Sequence, residues 1–363
     1  MLKYKQMEKV EEKQPAKKRV LYFSVLNVLA CFGVVLLHCN GAAFWGFLKS
    51  KTWISANIIE TLFYFPVPIF FMLSGATLLG YRKRYSTREF LQKRFMKTVL
   101  PFLFWSVIAM LYTMAFDGTF DWNPAHIAIN ILHTRYMSIY WFFIALFAVY
   151  LSLPVLSAVE DKLKLQVYKY AIILGMIFVA VLPLAFQLLQ LGGPNEYNWE
   201  LTPPIVGGYI LFVLLGYYLS KVELTKKQRF FIYICGVAGA IVQFVGCWVL
   251  SFKNGFVDTT FKGYTNLPSV TFAIAVFVWF KYLDYGRILQ KFPWFENIVN
   301  KLAGLTFGIY LIHGFIVYSL PAMIGFDARN WVWRTLGSIA IFIICGIIVW
   351  LLKKIPFIKR IVP

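Results

Sequence analysis

The chain has 363 residues, 60% of them hydrophobic, a formal net charge of +20 and a mean hydropathy of +0.67. Soluble globular proteins are about half apolar. A soluble core could hide some of the excess, but not many separate apolar runs, so an ordinary soluble domain is excluded.

Crossing a bilayer takes about 20 predominantly apolar residues per helix. Such runs recur in chain order at Val20–His38, Ile58–Gly80, Phe95–Ala115, Ser138–Val159, Tyr168–Leu189, Ile205–Ser220, Phe230–Leu250, Leu267–Tyr282, Leu302–Met323 and Val332–Leu352. The sixth and eighth are short, and hold Gly or Ser but no interior charge. The pattern predicts an all-α, polytopic integral membrane protein of about ten transmembrane helices, with a single membrane domain over residues 20–363. Residues 1–19 are polar and Lys-rich and read as a disordered basic tail. The first run is too long for a signal peptide and lacks a small-residue cleavage site.

Orientation follows from the basic residues. With the N-terminus inside, the segments 1–19, 81–97, 160–169, 221–229, 281–301 and 353–363 hold 29 of the 36 Lys and Arg. The positive-inside rule then predicts that both termini are cytoplasmic. The net charge is mostly this bias. It implies contact with anionic lipid headgroups and not with nucleic acid.

Several chemistries lose their usual signatures. Cys31, Cys39, Cys235, Cys247 and Cys345 lie in or at the ends of apolar runs and form no CxxC pair, so they read as small packing residues. There is no Walker A sequence, no Rossmann glycine fingerprint and no HExxH. His126 and His133 are seven apart in an outer loop, without further ligands in evidence, so no metal is expected.

Polar residues inside membrane spans are costly and usually functional. In the first run Ser24, Asn27, Cys31 and His38 are three, four and seven residues apart, which puts them on one helix face. The stripe from Asn27 to His38 is roughly 16 Å long at 1.5 Å per residue. Ser and Asn commonly bond neighbouring helices in membranes. An imidazole titrates near neutral pH and is the usual general base, which singles out His38. At the start of the third run, Arg94 and Lys97 are three apart. On a helix starting there they share a face beside its positive N-terminal end, an arrangement suited to phosphate. Ordinary anchoring by basic residues is the competing reading.

Four stretches together resemble the acyltransferase-3 family of bacterial membrane O-acyltransferases. They are Asn27 to His38; Val67-Pro-Ile-Phe-Phe-Met-Leu-Ser74-Gly75 followed by Arg94-x-x-Lys97 and Pro101; Tyr140-Trp141 with Tyr150 and Pro154; and Thr306-Phe-Gly-Ile-Tyr310-Leu-Ile-His313. They follow the family's order at similar spacing over nearly the whole chain. Two positions depart: Ser24 and Asn27 stand where the family usually has Asp and Arg, and the family's paired arginines appear as Arg94 and Lys97.

The resemblance implies transfer of an acyl group, commonly acetyl, from cytoplasmic acetyl-CoA or another acyl-CoA. The acceptor is a hydroxyl of an envelope or exported glycan, or of its lipid-linked precursor, at a bacterial cytoplasmic membrane. On that reading His38 is the catalytic base and Glu60, at similar depth, orients it. Arg94, Lys97, Arg82 and Arg84 hold the CoA phosphates, with Asn27 at the missing arginine's position. Ser74, Trp141, Tyr310 and His313 face the substrate. Each has a plainer reading: close helix packing for Ser74, interface anchoring for Trp141, and interhelical bonding for Tyr310 and His313. A transporter or flippase of lipid-linked saccharides also fits ten helices, but no internal repeat is visible. A non-catalytic relative fits the lost arginine.

Overall fold

The computed structural model describes residues 20–118, 121–189 and 197–363. The predicted tail, residues 1–19, lies outside them. Every regular element among the described residues is helical. In chain order these are α1 (Leu21–Trp45), α2 (Lys51–Leu62), α3 (Pro66–Leu78), α4 (Thr87–Arg94), α5 (Leu100–Asp117), α6 (Pro124–Leu132), α7 (Trp141–Leu156), α8 (Lys164–Gly175), α9 (Leu182–Leu189), α10 (Ile210–Lys221), α11 (Lys226–Asn254), α12 (Leu267–Lys281), α13 (Tyr285–Lys291), α14 (Phe295–Ala303), α15 (Thr306–Met323) and α16 (Ser338–Leu352).

All ten predicted runs are helical, and the chain is a multi-pass membrane protein. Among the described residues eight helical stretches, some of them joining two of these helices, are long and apolar enough to cross a membrane. A ninth is the pair α12 and α13, bent by 56°. The sixth predicted span is α10, only 12 residues long. The two shortest runs are therefore the two that fail the length test alone.

Proline explains three of the irregularities. The second predicted span is broken into α2 and α3 at Phe63–Phe65, because Pro66 and Pro68 have no N–H to return to the carbonyls four residues back. The Pro66 ring packs against Gly33, near the middle of α1, so the break sits deep in the bundle. Proline-linked π-helical turns join α4 to α5 (Phe95–Val99) and α8 to α9 (Met176–Val181). Each ends two residues before a proline, Pro101 or Pro183. The wider turn relieves the clash of the proline ring with the preceding turn of helix.

Close packing holds the centre. At the crossing of α3 and α10, a Cβ on Gly75 would collide with the Val213 backbone, and one on Gly216 with the Met72 backbone. Small residues let membrane helices approach this closely when no hydrophobic driving force separates lipid from helix.

Bonds between loops sort the segments to two ends. At one end Arg82 meets Ser157 and Pro154, Lys83 meets Asp161, and Lys281 meets Leu219 and Val222. This is the basic end. At the other, Arg334 meets Asn40 and Ser55, and Lys262 meets Thr61. Segments that the charge pattern groups together thus meet one another.

Candidate active site

The polar stripe of α1 lands on α14 and α15. Ser24 donates to Asn300 Oδ1 at 2.7 Å, and Asn27 Nδ2 donates to Thr306 Oγ1 at 2.9 Å and to Ala303 O at 3.3 Å. Cys31 Sγ reaches Thr306 O at 3.4 Å. These three residues knit helices together. The side-chain amide of Asn27 is committed there, which removes the reason to place it on a donor.

The fourth residue of the stripe does something else. His38 Nδ1 lies 2.8 Å from His313 Nε2. His313 is fully buried, and its Nδ1 lies 2.7 Å from Tyr310 O and 3.2 Å from Ile309 O. Carbonyl oxygens only accept, so His313 Nδ1 carries its proton. In the neutral ring His313 Nε2 is then the acceptor, and His38 Nδ1 must be the donor. The remaining atom, His38 Nε2, is left with an unshared lone pair. No described side chain bonds it, and His38 is only half-buried. One ring thus fixes the tautomer and angle of the other and leaves a lone pair on its open side.

Glu60 does not orient His38. Its Oε1 accepts from Asn40 Nδ2 at 3.5 Å, and Asn40 Oδ1 accepts from Arg334 Nη1 at 3.3 Å. Asn40 is two residues past His38, a turn of roughly 200° about the helix, so the two face different neighbours. Similar depth in two spans does not imply contact.

The other predicted substrate residues divide. Ser74 donates to Phe70 O of its own helix at 2.9 Å, beside the tight α3–α10 crossing. Tyr310 donates to Ile139 O while Tyr140 donates to Leu311 O, a reciprocal pair that fastens α15 to the start of α7. Both hydroxyls are thereby occupied. Trp141 is half-buried in a series of rings. Its centroid is 5.8 Å from Tyr264 and 6.1 Å from Tyr209, and Tyr264 stacks on Tyr64 at 4.6 Å. From Trp141 the series continues through Phe142 and Tyr310 to His313. An aromatic wall thus runs to the histidine pair. Tyr64 and Tyr264 carry no periodic signal in the sequence, because one lies in the α2–α3 break and the other in the loop before α12.

At the basic end the predicted phosphate residues do not act as one group. The helix begins at Thr87, eight residues before Phe95, with Ser86 accepting from Glu89 N, so no free helix N-terminus lies at Arg94 and Lys97. The π turn between them also changes the angle per residue, so they do not share a face. Arg94 lies over Phe90 and Tyr150, whereas Lys97 is exposed. Arg82 donates to Ser157 Oγ and Pro154 O, each at 3.0 Å, and Arg84 donates to Thr77 O at 2.9 Å. A cavity of about 260 Å³ opens between Gly80, Arg82, Lys83, Ser157, Asp161 and Lys164. Hydrogen bonds from Lys164 and then Lys83 hold the Asp161 carboxyl down at about 2.

Among the described residues no cluster of His, Cys, Asp or Glu has metal-site geometry. A family model described as an acyltransferase domain matches residues 20–350 of the chain. No curated protein and no solved structure matches it.

Proposed function

The chain belongs to the acyltransferase-3 family, and from membrane acyltransferase activity we propose an O-acyltransferase that passes an acyl group, acetyl in the simplest case, from cytoplasmic acyl-CoA to a hydroxyl of an envelope or exported polysaccharide. The observation that carries this reading is the histidine pair. A base with a fixed tautomer and an open lone pair is what acyl transfer to a hydroxyl requires.

His38 Nε2 takes the hydroxyl proton as the oxygen attacks the thioester carbonyl. The carbon–sulfur bond breaks, the thiolate leaves, and the proton returns from His38 to sulfur. The new ester carries the acyl group, and free CoA thiol is released. While His38 is an imidazolium, its Nδ1–H keeps its bond to His313 Nε2, and the proton on His313 Nδ1 stays donated to the Tyr310 and Ile309 carbonyls. The relay is neutral at rest and holds no carboxylate, so no buried anion has to be desolvated beside it.

The positive-inside count supports acyl-CoA arriving at the basic end. Arg94 beside Tyr150 and the Arg82–Lys83–Lys164 cavity offer cations for its phosphates. His38 lies about 26 Å along α1 from Leu21 at 1.5 Å per residue, in the other half of the bundle. The acyl end of the donor therefore has to travel between helices. The aromatic wall at Trp141 suits stacking against a sugar ring at the opposite mouth.

The test is transfer of radiolabelled acetyl from acetyl-CoA into base-labile glycan ester, using membranes with wild type or His38→Ala. Incorporation that disappears in the variant supports the reading. Equal incorporation removes His38 from the chemistry. No incorporation from acetyl- or succinyl-CoA, with inserted protein, points to transport or a non-catalytic relative.

A further inference from the structure

The end opposite the basic end is poor in cations, yet those it has converge. Outside the six basic segments there are seven Lys and Arg; three of them, Lys262, Arg329 and Arg334, meet the end of α1, and Lys49 and Lys51 follow it closely in the chain. Lys49 and Lys51 lie in the link to α2 and at its first residue. The Arg329 guanidinium lies against Gly46, just past α1. Lys262 Nζ sits 5.7 Å from the centre of the Phe44 ring and 5.6 Å from that of Tyr64, and donates to Thr61 at 2.7 Å. Dilute positive charge on this side is what the membrane topology favours, so its concentration at one place needs a cause.

Arg334 is the least balanced of the five. It is 2% exposed. Its partners are neutral: Asn40 Oδ1 at 3.3 Å, Ser55 Oγ at 3.0 Å and the ring of Trp331 at 5.4 Å. Its Nε is buried with no hydrogen-bond partner. No carboxylate among the described residues pairs with it. Glu60 bonds Asn40, and Asp327 accepts from Arg329 N at 2.8 Å. A guanidinium cannot shed its proton, so it stays charged. Covering such a charge without an anion is costly, and the cost is recovered when an oxyanion arrives.

We propose that this mouth is an oxyanion site centred on Arg334, which seats a carboxylate or phosphate group. If the proposed O-acyl transfer is right, that group belongs to the acceptor, and the enzyme selects an acidic or phosphorylated saccharide. The fork of Arg334 matches the two oxygens of either group, and Arg329 adds to the surrounding field, whereas Lys262 is balanced by the neighbouring Glu60.

The test is binding and needs no turnover, so its failure is separate from a failure of acyl transfer. The full chain in phosphatidylcholine nanodiscs is unfolded thermally with increasing trigalacturonate, with maltotriose as the neutral counterpart. A parallel set of nanodiscs contains phosphatidylglycerol. Ligand that binds only the folded state raises the unfolding temperature. The expected result is a saturable rise with trigalacturonate and none with maltotriose. In Arg334→Gln the midpoint moves to concentrations about tenfold higher or more. Arg334→Lys is intermediate, and Arg287→Gln at the basic end matches wild type. A rise with phosphatidylglycerol alone, lost in Arg334→Gln, keeps the oxyanion site and assigns it to lipid. Equal response of wild type and Arg334→Gln overturns the proposal, as does no rise in wild type with any anion; Arg334 is then a strut between α1, α2 and α16.

Discussion

His38 and Asn40 are two residues apart on α1, yet they belong to regions of opposite character. The His38 side is neutral: imidazole to imidazole to backbone carbonyl. The Asn40 side is charged, with Glu60 on one amide atom and Arg334 on the other. A neutral relay gains or loses one proton without rearranging its neighbours. A set of buried charges tied by hydrogen bonds holds position. The first arrangement suits a step in which a proton moves, the second a step in which a ligand is held. The single helix joining them keeps the two at constant separation.

The comparison breaks most directly at His38. His38→Gln retains a group that bonds His313 but lacks a base, so kcat falls by about 10²–10⁴-fold. Acyl-CoA KM is unchanged. A kcat within a few-fold of wild type, measured on correctly inserted protein, would place the proton transfer elsewhere. His313→Phe fills the same space and leaves His38 unanchored. The expected loss in kcat is about tenfold to a hundredfold, less than for His38→Gln because Nε2 itself remains. A merely structural role would lower the amount of folded protein without changing its specific activity.

Glu60 sharpens the contrast from the other side. Glu60→Gln leaves the relay intact, so kcat changes by less than about tenfold, the scale of one lost general-acid–base contact being larger. Stability falls instead, because the Glu60 carboxylate acts on the buried Lys262 ammonium and the variant removes that charge; leaving a buried polar group poorly compensated costs about 1–3 kcal/mol. The readout is a lower unfolding temperature with near-normal specific activity. The reverse pattern would return Glu60 to the chemistry.

The sequence made the spans legible because bilayer thickness imposes a length on apolar runs. It made the α1 stripe legible because four polar residues at helical spacing must share a face. Which partner each member meets was not legible: His38 and Glu60 look paired by depth, and only the packing of α15 onto α1 shows that His313 takes that place. Arg94 and Lys97 misled for a local reason, since the helix start at Thr87 and the π turn before Pro101 alter both the dipole and the face. Arg334 carried a signal that went unused, a lone cation just inside the tenth apolar run. Lys262, Tyr64 and Tyr264 carried none, because loops have no period to betray what they bring together.

The smallest expected effect lies at the basic end, where Asp161 and Lys83 are exposed and Lys164 alone of the three is buried. Asp161 pairs with Lys164 at 2.6 Å and Lys83 at 2.8 Å, with about half of its side chain in solvent. Its folded value of about 2 lies below the model-compound value of 3.8. The ionised form is therefore favoured by folding. Its contribution is fully present above the unfolded value and is lost as pH falls from about 4 toward 2. Solvent and salt screen such a pair, so the contribution is small. Asp161→Asn accordingly leaves activity and unfolding temperature near wild type at pH 7. The difference between the two proteins narrows further as the pH is lowered through that window or as salt is raised. A large loss at pH 7 would mean that this triad supports the cavity between α3 and α7 more than its exposure implies, and the contrast between buried charges that hold and exposed charges that decorate would have to be redrawn.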